Sequence, residues 1–219
     1  MTREYMDEQY LQILQEKKDE DIQQGAERVL TEEIATQDIA GGQATVYGQV
    51  VKFASRPLLD GKISITMPEE WHEMELELVK IKYPYESRPS LVMTDDTTAI
   101  NFTVNHIPQA LKPDQLTMFM NTMKNFMSKM TKAQFIEDGL LEAEEKVMGK
   151  SWFDFVVPGI DDELYNLMFF MSLDQRALVM TFNCLKQDQI RWKPIVFDML
   201  KTFKIGSSEN TKPIRRMVW

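Results

Sequence analysis

The feature that most constrains this chain is the run from Gln134 to Cys184, which reads as an unbroken series of strands with short turns. Short turns favour antiparallel neighbours, because parallel strands need a long crossover connection. The run therefore predicts an antiparallel meander, and it constrains the fold more than any residue constrains the function. Its clearest strands are residues 150–157, 162–171 and 176–183.

Shorter strands are predicted before the meander. Asp60-Gly61 is a strong hairpin signal, and an alternating segment follows it. Residues 79–84 are interpreted as a short extended piece. The other strands predicted in this half of the chain, including the one after the hairpin signal, are residues 45–53, 62–67, 90–93 and 98–105.

Two helices are predicted to cover the sheet. Pro113 and Asp114 suit a helix start, since proline fits the first turn and an acid there meets the positive end of the helix dipole. That helix should run for about five turns, and one side of it carries Leu116, Phe119, Met120, Met123, Met127 and Met130. We favour a core role for this methionine-rich side over an adaptable binding surface. The second helix is predicted over residues 194–204.

The order of these elements indicates an α+β fold, because blocks of strands are separated by isolated helices. We predict an antiparallel sheet flanked by helices, as an α/β/α sandwich. Gly41-Gly42 breaks the first helical pattern and marks a boundary. The chain is therefore divided into an N-terminal helical extension (1–40), a folded domain (41–206) and a short basic and apolar tail (207–219).

Negative charge is concentrated in the N-terminal extension. Residues 1–40 hold eleven acidic and four basic side chains, a net −7 of the chain's −9. Apolar residues recur there at helical spacing on either side of a polar stretch. Two interpretations stay open: short helices packed on the domain, or an acidic arm that binds a partner or forms a homodimer. The tail 207–219 is either disordered or docked on the domain.

Composition and charge argue against several classes of function. A net charge of −9 disfavours a nucleic-acid partner, because phosphate binding needs clustered lysine and arginine. The acidic start differs from a signal peptide, and no apolar run approaches the roughly 18 residues of a membrane span. The single cysteine, Cys184, forms no internal disulfide, which fits a reducing compartment. We therefore expect a cytoplasmic protein without a membrane span.

The residue types that carry catalysis are sparse and scattered. His72 and His106 lie in different segments, and the acids around His72 fit a solvated loop better than a zinc site with its four ligands. Cys184 has no histidine near it in sequence to activate the thiol. The carboxylates at 95–96 and 161–163 fall at turns, where acids commonly bond the backbone. The sequence predicts no catalytic residue, no metal ligand and no cofactor.

Several local patterns resemble the PsbP-like fold family, shared by the photosystem II subunit PsbP, Mog-type Ran-binding proteins and uncharacterised bacterial proteins. They are the strand-proline-tryptophan run 63–71, the helix 113–130 after a strand, the meander 149–183 with Tyr165 and the turn 173–176, and the closing helix with Trp192 before it and 202–205 at its end. The resemblance covers about residues 45–205. It implies an α/β/α sandwich in a bacterial member of a mostly non-enzymatic family of binding subunits, assembly factors and adaptors.

Two functions follow as hypotheses. The first is a non-enzymatic protein-binding or adaptor module, similar to the bacterial relatives that resemble chaperones. Its partner would bind the acidic arm or a surface comprising Trp71, Tyr85, Met118, Met120 and Trp192. The second is a small-molecule-binding protein or weak hydrolase, whose pocket is rimmed by Trp71, His72, His106 and Trp192. Aromatic residues at strand and helix ends suit the rim of a pocket and the cap of a core equally.

Overall fold

The computed structural model describes residues 38–86, 88–141, 149–159 and 162–206. This part of the chain forms two antiparallel sheets and three α-helices. Most of the predicted N-terminal extension and the whole tail 207–219 lie outside the described residues.

The strands in chain order are β1 (Gln43–Val46), β2 (Gln49–Leu58), β3 (Ile63–Pro68), β4 (His72–Glu73), β5 (Leu91–Thr94), β6 (Asn101–Ala110), β7 (Gln134–Leu141), β8 (Lys150–Pro158), β9 (Glu163–Leu173), β10 (Arg176–Leu185) and β11 (Lys204–Ile205). The helices are α1 (Leu76–Lys82), α2 (Leu116–Met130) and α3 (Gln189–Lys201). Short 3-10 turns lead into α2 and α3, at Pro113–Gln115 and Lys186–Asp188.

The larger sheet has seven strands in the order β4-β5-β6-β10-β9-β8-β7. Its β7–β10 part is the antiparallel meander that the sequence predicts, and each strand pairs with the next one along the chain. Between β9 and β10 the chain reverses through Asp174 (φ 51°) and Gln175 (φ 59°), a two-residue turn with both residues in the left-handed region. The predicted turn at 173–176 is confirmed.

The smaller sheet has four strands in the order β1-β2-β3-β11. The prediction of one strand over 45–53 is wrong, because the chain turns at Tyr47 (φ 52°) and Gly48 (φ 72°) and forms the β1–β2 hairpin. The hairpin predicted at Asp60-Gly61 is confirmed, with β2 and β3 paired on either side of it. This second sheet is an addition to the predicted single-sheet sandwich.

The two faces of the larger sheet pack against different layers. On β10, Leu178 and Met180 belong to a core shared with the smaller sheet and α3, whereas Ala177 and Val179 face α2. This alternation follows from the period of two along a strand. The predicted α+β class is therefore confirmed, with helices on both faces of an antiparallel sheet, and α3 shares its layer with the four-stranded sheet.

The helices depart from the sequence prediction at two places. Residues 79–84 were expected to be extended, but α1 forms there because Val79 is buried in a small cluster with Met74 and Val92. The second covering helix begins at Gln189, before the predicted start at Pro194, which lies inside α3. The long helix is confirmed, since α2 follows the turn at 113–115. Its predicted apolar side is confirmed except at its end: Leu116 and Met120 are buried and the next members pack partly buried, but Met130 is 67% exposed.

The folded body extends slightly before Gly41. Ile39 is 3% exposed and belongs to the main core, and the backbone of Asp38 pairs with Gln43 at the start of β1. The Asp38 carboxylate also accepts a hydrogen bond from the Gly41 N–H at 2.7 Å. Residues 38–40 therefore pack as part of the domain.

Candidate functional site

The two tryptophans expected at a pocket rim lie in the core. Trp71 and Trp192 are 3% and 4% exposed, and their ring centroids are 5.6 Å apart. Both rings also pack against Phe182 of β10. Burial of these large apolar rings beneath α3 stabilises the fold by several kcal/mol, on the order of 2–3 kcal/mol for each.

The two histidines lie apart from this cluster. His72 is on the short edge strand β4, where its Nδ1 is 3.7 Å from the carboxylate of Asp96. His106 is on β6, and its Nε2 is 2.9 Å from the carbonyl oxygen of Leu173. None of these four residues lines any of the three main cavities found among the described residues. The prediction of a pocket rimmed by Trp71, His72, His106 and Trp192 is therefore wrong.

The five residues of the predicted interaction surface do not share one environment: two are exposed and three are buried. Met118 and Tyr85 are 63% and 78% exposed, as a surface requires. Met120 is buried against the larger sheet, and Trp71 and Trp192 are core residues. Those three are removed from the surface. Helix periodicity turns Met120 and Trp192 inward, and the turn after β3, in which the Trp71 N–H donates to the Pro68 carbonyl, precedes the buried Trp71.

The single thiol is unsuited to nucleophilic chemistry. Cys184 is 1% exposed, and burial, together with the charge of Asp188, raises its pKa well above the usual range. The thiolate is therefore disfavoured at neutral pH.

Of the predicted turn carboxylates, Asp95 accepts the Ile100 N–H at 3.1 Å. Within the described ranges, no three His, Cys, Asp or Glu side chains are grouped so as to hold a metal ion.

A buried charged cluster joins α3 to the larger sheet. Asp154 of β8 is fully buried, and one carboxylate oxygen accepts the Glu137 N–H at 2.8 Å. Its other oxygen accepts bonds from the Tyr165 hydroxyl at 2.9 Å and from Lys193 Nζ at 2.7 Å. Lys193 also reaches the Glu137 carboxylate at 2.6 Å. Because both Asp154 oxygens are occupied, the cluster works as an anchor for α3 rather than as an acid or base.

The pKa shifts within the cluster agree with an anchoring role. Burial raises the pKa of the Tyr165 hydroxyl, and the adjacent Asp154 carboxylate raises it further. Burial lowers the pKa of Lys193, but the hydrogen bonds that Lys193 donates to Asp154 and Glu137 outweigh that effect and leave the pKa raised. The lysine therefore stays protonated and the tyrosine stays neutral over the physiological range.

The largest cavity of the described residues is an open groove of about 1140 Å³ beside the cluster. The first half of α3 forms one wall, and the β8–β9 turn and the end of β10 form the other. We call it the α3 groove. Its lining is Pro158, Gly159, Asp162, Glu163, Leu185, Lys186, Gln187, Gln189, Ile190, Lys193, Pro194 and Phe197.

Pro194 gives the groove a polar feature at the backbone level. Proline has no N–H, so the Ile190 carbonyl lacks the hydrogen bond that residue i+4 normally donates in a helix. The Ile190 side chain is 55% exposed. The wall of the groove therefore combines an accessible apolar side chain with a carbonyl acceptor that the helix does not satisfy.

Charges of both signs stand at the rim. Lys186 forms an ion pair with Glu163, Lys193 is held by the buried cluster, and Asp162 adds an exposed carboxylate. The groove thus has little net charge and an apolar floor, which suits a protein segment better than a phosphate group. The sequence prediction missed this site, because it needs the early start of α3 and the meeting of three separate segments.

Comparison with known proteins gives matches at the level of structure. No family model and no curated protein matches the chain. The cyanobacterial PsbP (CyanoP) of Synechocystis sp. PCC 6803 is 13% identical, with a TM-score of 0.49 over 73% of this chain and 96% of that one. LpqN of Mycobacterium tuberculosis, described as involved in cell envelope biogenesis, is 8% identical, with a TM-score of 0.46 over 72% of this chain and 92% of that one.

A structure from Bacteroides thetaiotaomicron VPI-5482 is 9% identical, with a TM-score of 0.41, and this chain spans half of its length. At such identities the matches carry no argument about function.

None of the helices in the described part of the chain is both long and apolar enough to cross a membrane.

Proposed function

We propose that the protein is a non-enzymatic protein-binding module that holds a segment of a partner protein in the α3 groove. The observation that carries the proposal is the groove itself, an open cavity of about 1140 Å³ with an apolar floor. The groups that might otherwise indicate chemistry near it are engaged, since Lys193 and Asp154 bond one another and Cys184 is buried.

The lining indicates which kind of segment fits. Apolar side chains of the partner would contact Ile190, Leu185 and Phe197, where burial contributes about 25 cal/mol per Å². A backbone N–H of the partner would donate to the Ile190 carbonyl, which α3 leaves without its helical donor. An extended segment offers both kinds of group at short spacing, because its side chains and backbone donors alternate.

The test compares two matched substitutions on the full chain. Ile190→Glu places a charge in the groove, and Met118→Glu places the same charge at an exposed methionine in the first turn of α2. Both positions are more than half exposed, and an acid in the first helical turn is favourable, so we expect both variants to fold. Proteins captured by wild type and each variant are compared by quantitative mass spectrometry, and the selected partner is then purified for calorimetry.

We expect a purified partner that binds wild type and Met118→Glu alike and binds Ile190→Glu at least about tenfold more weakly, a loss of about 1.4 kcal/mol. Equal binding to Ile190→Glu would exclude the α3 groove. Loss of binding to Met118→Glu with retention by Ile190→Glu would instead place the partner on α2 and overturn the proposal.

The proposal extends to an adaptor role in the cytoplasm, related to the Mog-type members as well as to PsbP. A single, buried thiol supports a reducing compartment, since such compartments keep cysteines unpaired. Localisation of the tagged full chain by fractionation tests this part, and recovery outside the cytoplasm contradicts it. The homodimer through the N-terminal arm falls on residues 1–37, outside the described residues.

A further inference from the structure

A second surface, separate from the α3 groove, surrounds helix α1. Four large side chains stand out from this short segment: Leu76 is 62% exposed, Leu78 45%, Ile81 78% and Tyr85 78%. We call these four residues the α1 patch. Among the residues of α1 itself, Val79 is the buried one. Four large apolar side chains exposed within ten residues of chain are an unusual concentration for a folded protein, and such concentrations generally mark an interaction site.

Acidic residues surround the α1 patch. The segment 69–96 contains eight acidic residues and three basic ones, a net charge of −5, whereas residues 41–219 together carry −2. All three bases are engaged locally. Lys80 pairs with Glu77 at 2.7 Å, Lys82 donates to the Thr98 carbonyl, and Arg88 donates to the Tyr85 carbonyl at 3.3 Å. The patch is therefore apolar with surplus negative charge, and its complement is a segment that is both apolar and basic.

The tail 207–219 of this chain has that composition. It holds three basic residues and one acid, a net charge of +2, and four large apolar residues lie among its bases. In sequence order the basic and apolar residues of the tail are Lys212, Ile214, Arg215, Arg216, Met217, Val218 and Trp219.

The last described residue, Gly206, lies against the turn between β2 and β3. Gly206 follows β11, and its N–H donates to the Lys62 carbonyl at 2.8 Å. A Cβ at position 206 would lie 2.0 Å from the Gly61 carbonyl oxygen, so only glycine allows the chain to leave along this line. Gly61 in turn lines one cavity together with Glu73, which lies three residues before α1.

The tail is long enough to reach the patch from Gly206. That cavity, about 630 Å³, connects the exit point to strand β5 and to the residues that lead into α1. Thirteen extended residues span roughly 40 Å, which is longer than any strand or helix between Gly206 and the α1 patch. We propose that residues 207–219 dock on the α1 patch of the same chain, with their apolar side chains on the patch and their arginines facing the surplus carboxylates.

The first experiment uses hydrogen exchange of the full chain at low salt. Arg215→Glu combined with Arg216→Glu reverses the charge of the tail, and Lys129→Glu combined with Lys132→Glu makes the same charge change at the end of α2. We expect amides in 76–86 to exchange about tenfold faster in the arginine variant and unchanged in the lysine control, the factor equivalent to about 1.4 kcal/mol of docking. Equal exchange in wild type and both variants overturns the docking.

The second experiment detects the contact directly. A zero-length cross-linker that joins amines to carboxylates should link Lys212 with an acid in 69–86 of the full chain. Ile81→Asn, which removes the apolar side chain without adding a carboxylate, should abolish that link, while Met118→Asn, the same change at another exposed apolar residue, should keep it. A link that persists in Ile81→Asn contradicts the apolar contact.

Light scattering on the same samples identifies the occupant. A monomeric mass together with the cross-link supports docking within one chain. A doubled mass that falls on reversal of the tail arginines means that the tail docks on a second copy, which overturns the proposal in its present form. Because neither experiment involves Ile190, the α3 groove and the α1 patch can fail independently.

Discussion

Lys150 is a buried lysine at the start of β8, 3% exposed, with its Nζ 5.3 Å from the centre of the Phe203 ring. Burial lowers its pKa to about 8. Asp154, four residues further on the same face of the strand, is buried too but is compensated by Lys193. Within the described residues, the two positions show the difference between a buried charge with an ion-pair partner and one that faces an aromatic ring.

We predict that Lys150→Met removes a pH-dependent part of the stability. The folded-state pKa of about 8 lies below the unfolded value of 10.5, so between these pH values the unfolded chain binds more protons and stability rises with pH. Below about pH 8 the folded protein holds a buried charge at a cost. Lys150→Met should therefore be more stable than wild type at pH 7, and the difference should shrink towards pH 10.5.

Urea denaturation of both proteins at pH 7 to 10.5 measures this difference. Other titrating groups cancel, because they are common to the two proteins. Lys129→Met, at an exposed lysine near the end of α2, serves as the control and should follow wild type at every pH. A constant difference between Lys150→Met and wild type across the range would contradict a lowered pKa at this site.

At the scale of elements, helix α3 combines a strong anchor with a weak point. Trp192, Ile195, Val196, Met199 and Leu200 are buried along it, and Lys193 ties it to β8. Pro194 interrupts the hydrogen bonds of the same helix. The interruption is tolerated because the buried side holds the helix in place, and it removes the i+4 donor of the Ile190 carbonyl beside the α3 groove.

We predict that Pro194→Ala stabilises the protein by about 2 kcal/mol and weakens partner binding in the α3 groove. The new N–H restores the bond to the Ile190 carbonyl, a gain that the extra freedom of the unfolded chain partly offsets. Chemical denaturation and calorimetry with the purified partner measure the two effects. Pro84→Ala, at a proline outside the helices, should be nearly neutral for both. Unchanged stability of Pro194→Ala would mean that the Ile190 carbonyl is already satisfied.

The sequence predicted the elements whose signal is local and strong. The β7–β10 meander, the Asp60-Gly61 hairpin and the apolar side of α2 each follow from periodicity or turn chemistry. The β1–β2 turn was missed because Tyr47 adopts a positive φ, which its residue type does not signal. The start of α3 was missed because proline is common at the first position of a helix and rare inside one.

At the scale of the molecule, the candidate site was beyond local sequence signals. Leu185, Ile190 and Pro158 come from three segments, and the α3 groove exists because the order of the larger sheet brings them together. The prediction that Trp71 and Trp192 lie at a pocket rim was wrong for the same reason. Whether each tryptophan is exposed or buried depends on where α3 lies. Composition alone does not distinguish a tryptophan at a pocket rim from one in a core.

We predict that residues 38–40 are a stabilising part of the folded body. A chain that starts at Gly41 loses the Ile39 side chain from the main core and should be less stable by about 2–5 kcal/mol than a chain that starts at Asp38. Thermal denaturation of the two chains measures the difference. Ile39→Ala in the full chain separates side-chain burial from chain length, and equal stability of all three proteins with wild type would place the boundary at Gly41.

The pairing of β11 with β3 joins Lys204 to Ser64, from opposite ends of the described chain. Such distant pairs form late in folding, because closing a long loop costs entropy before the contact is made. During synthesis on the ribosome, β3 and its buried isoleucines therefore cannot complete their packing until α3 and β11 have emerged. Until then their apolar face is open to chaperones and to other nascent chains.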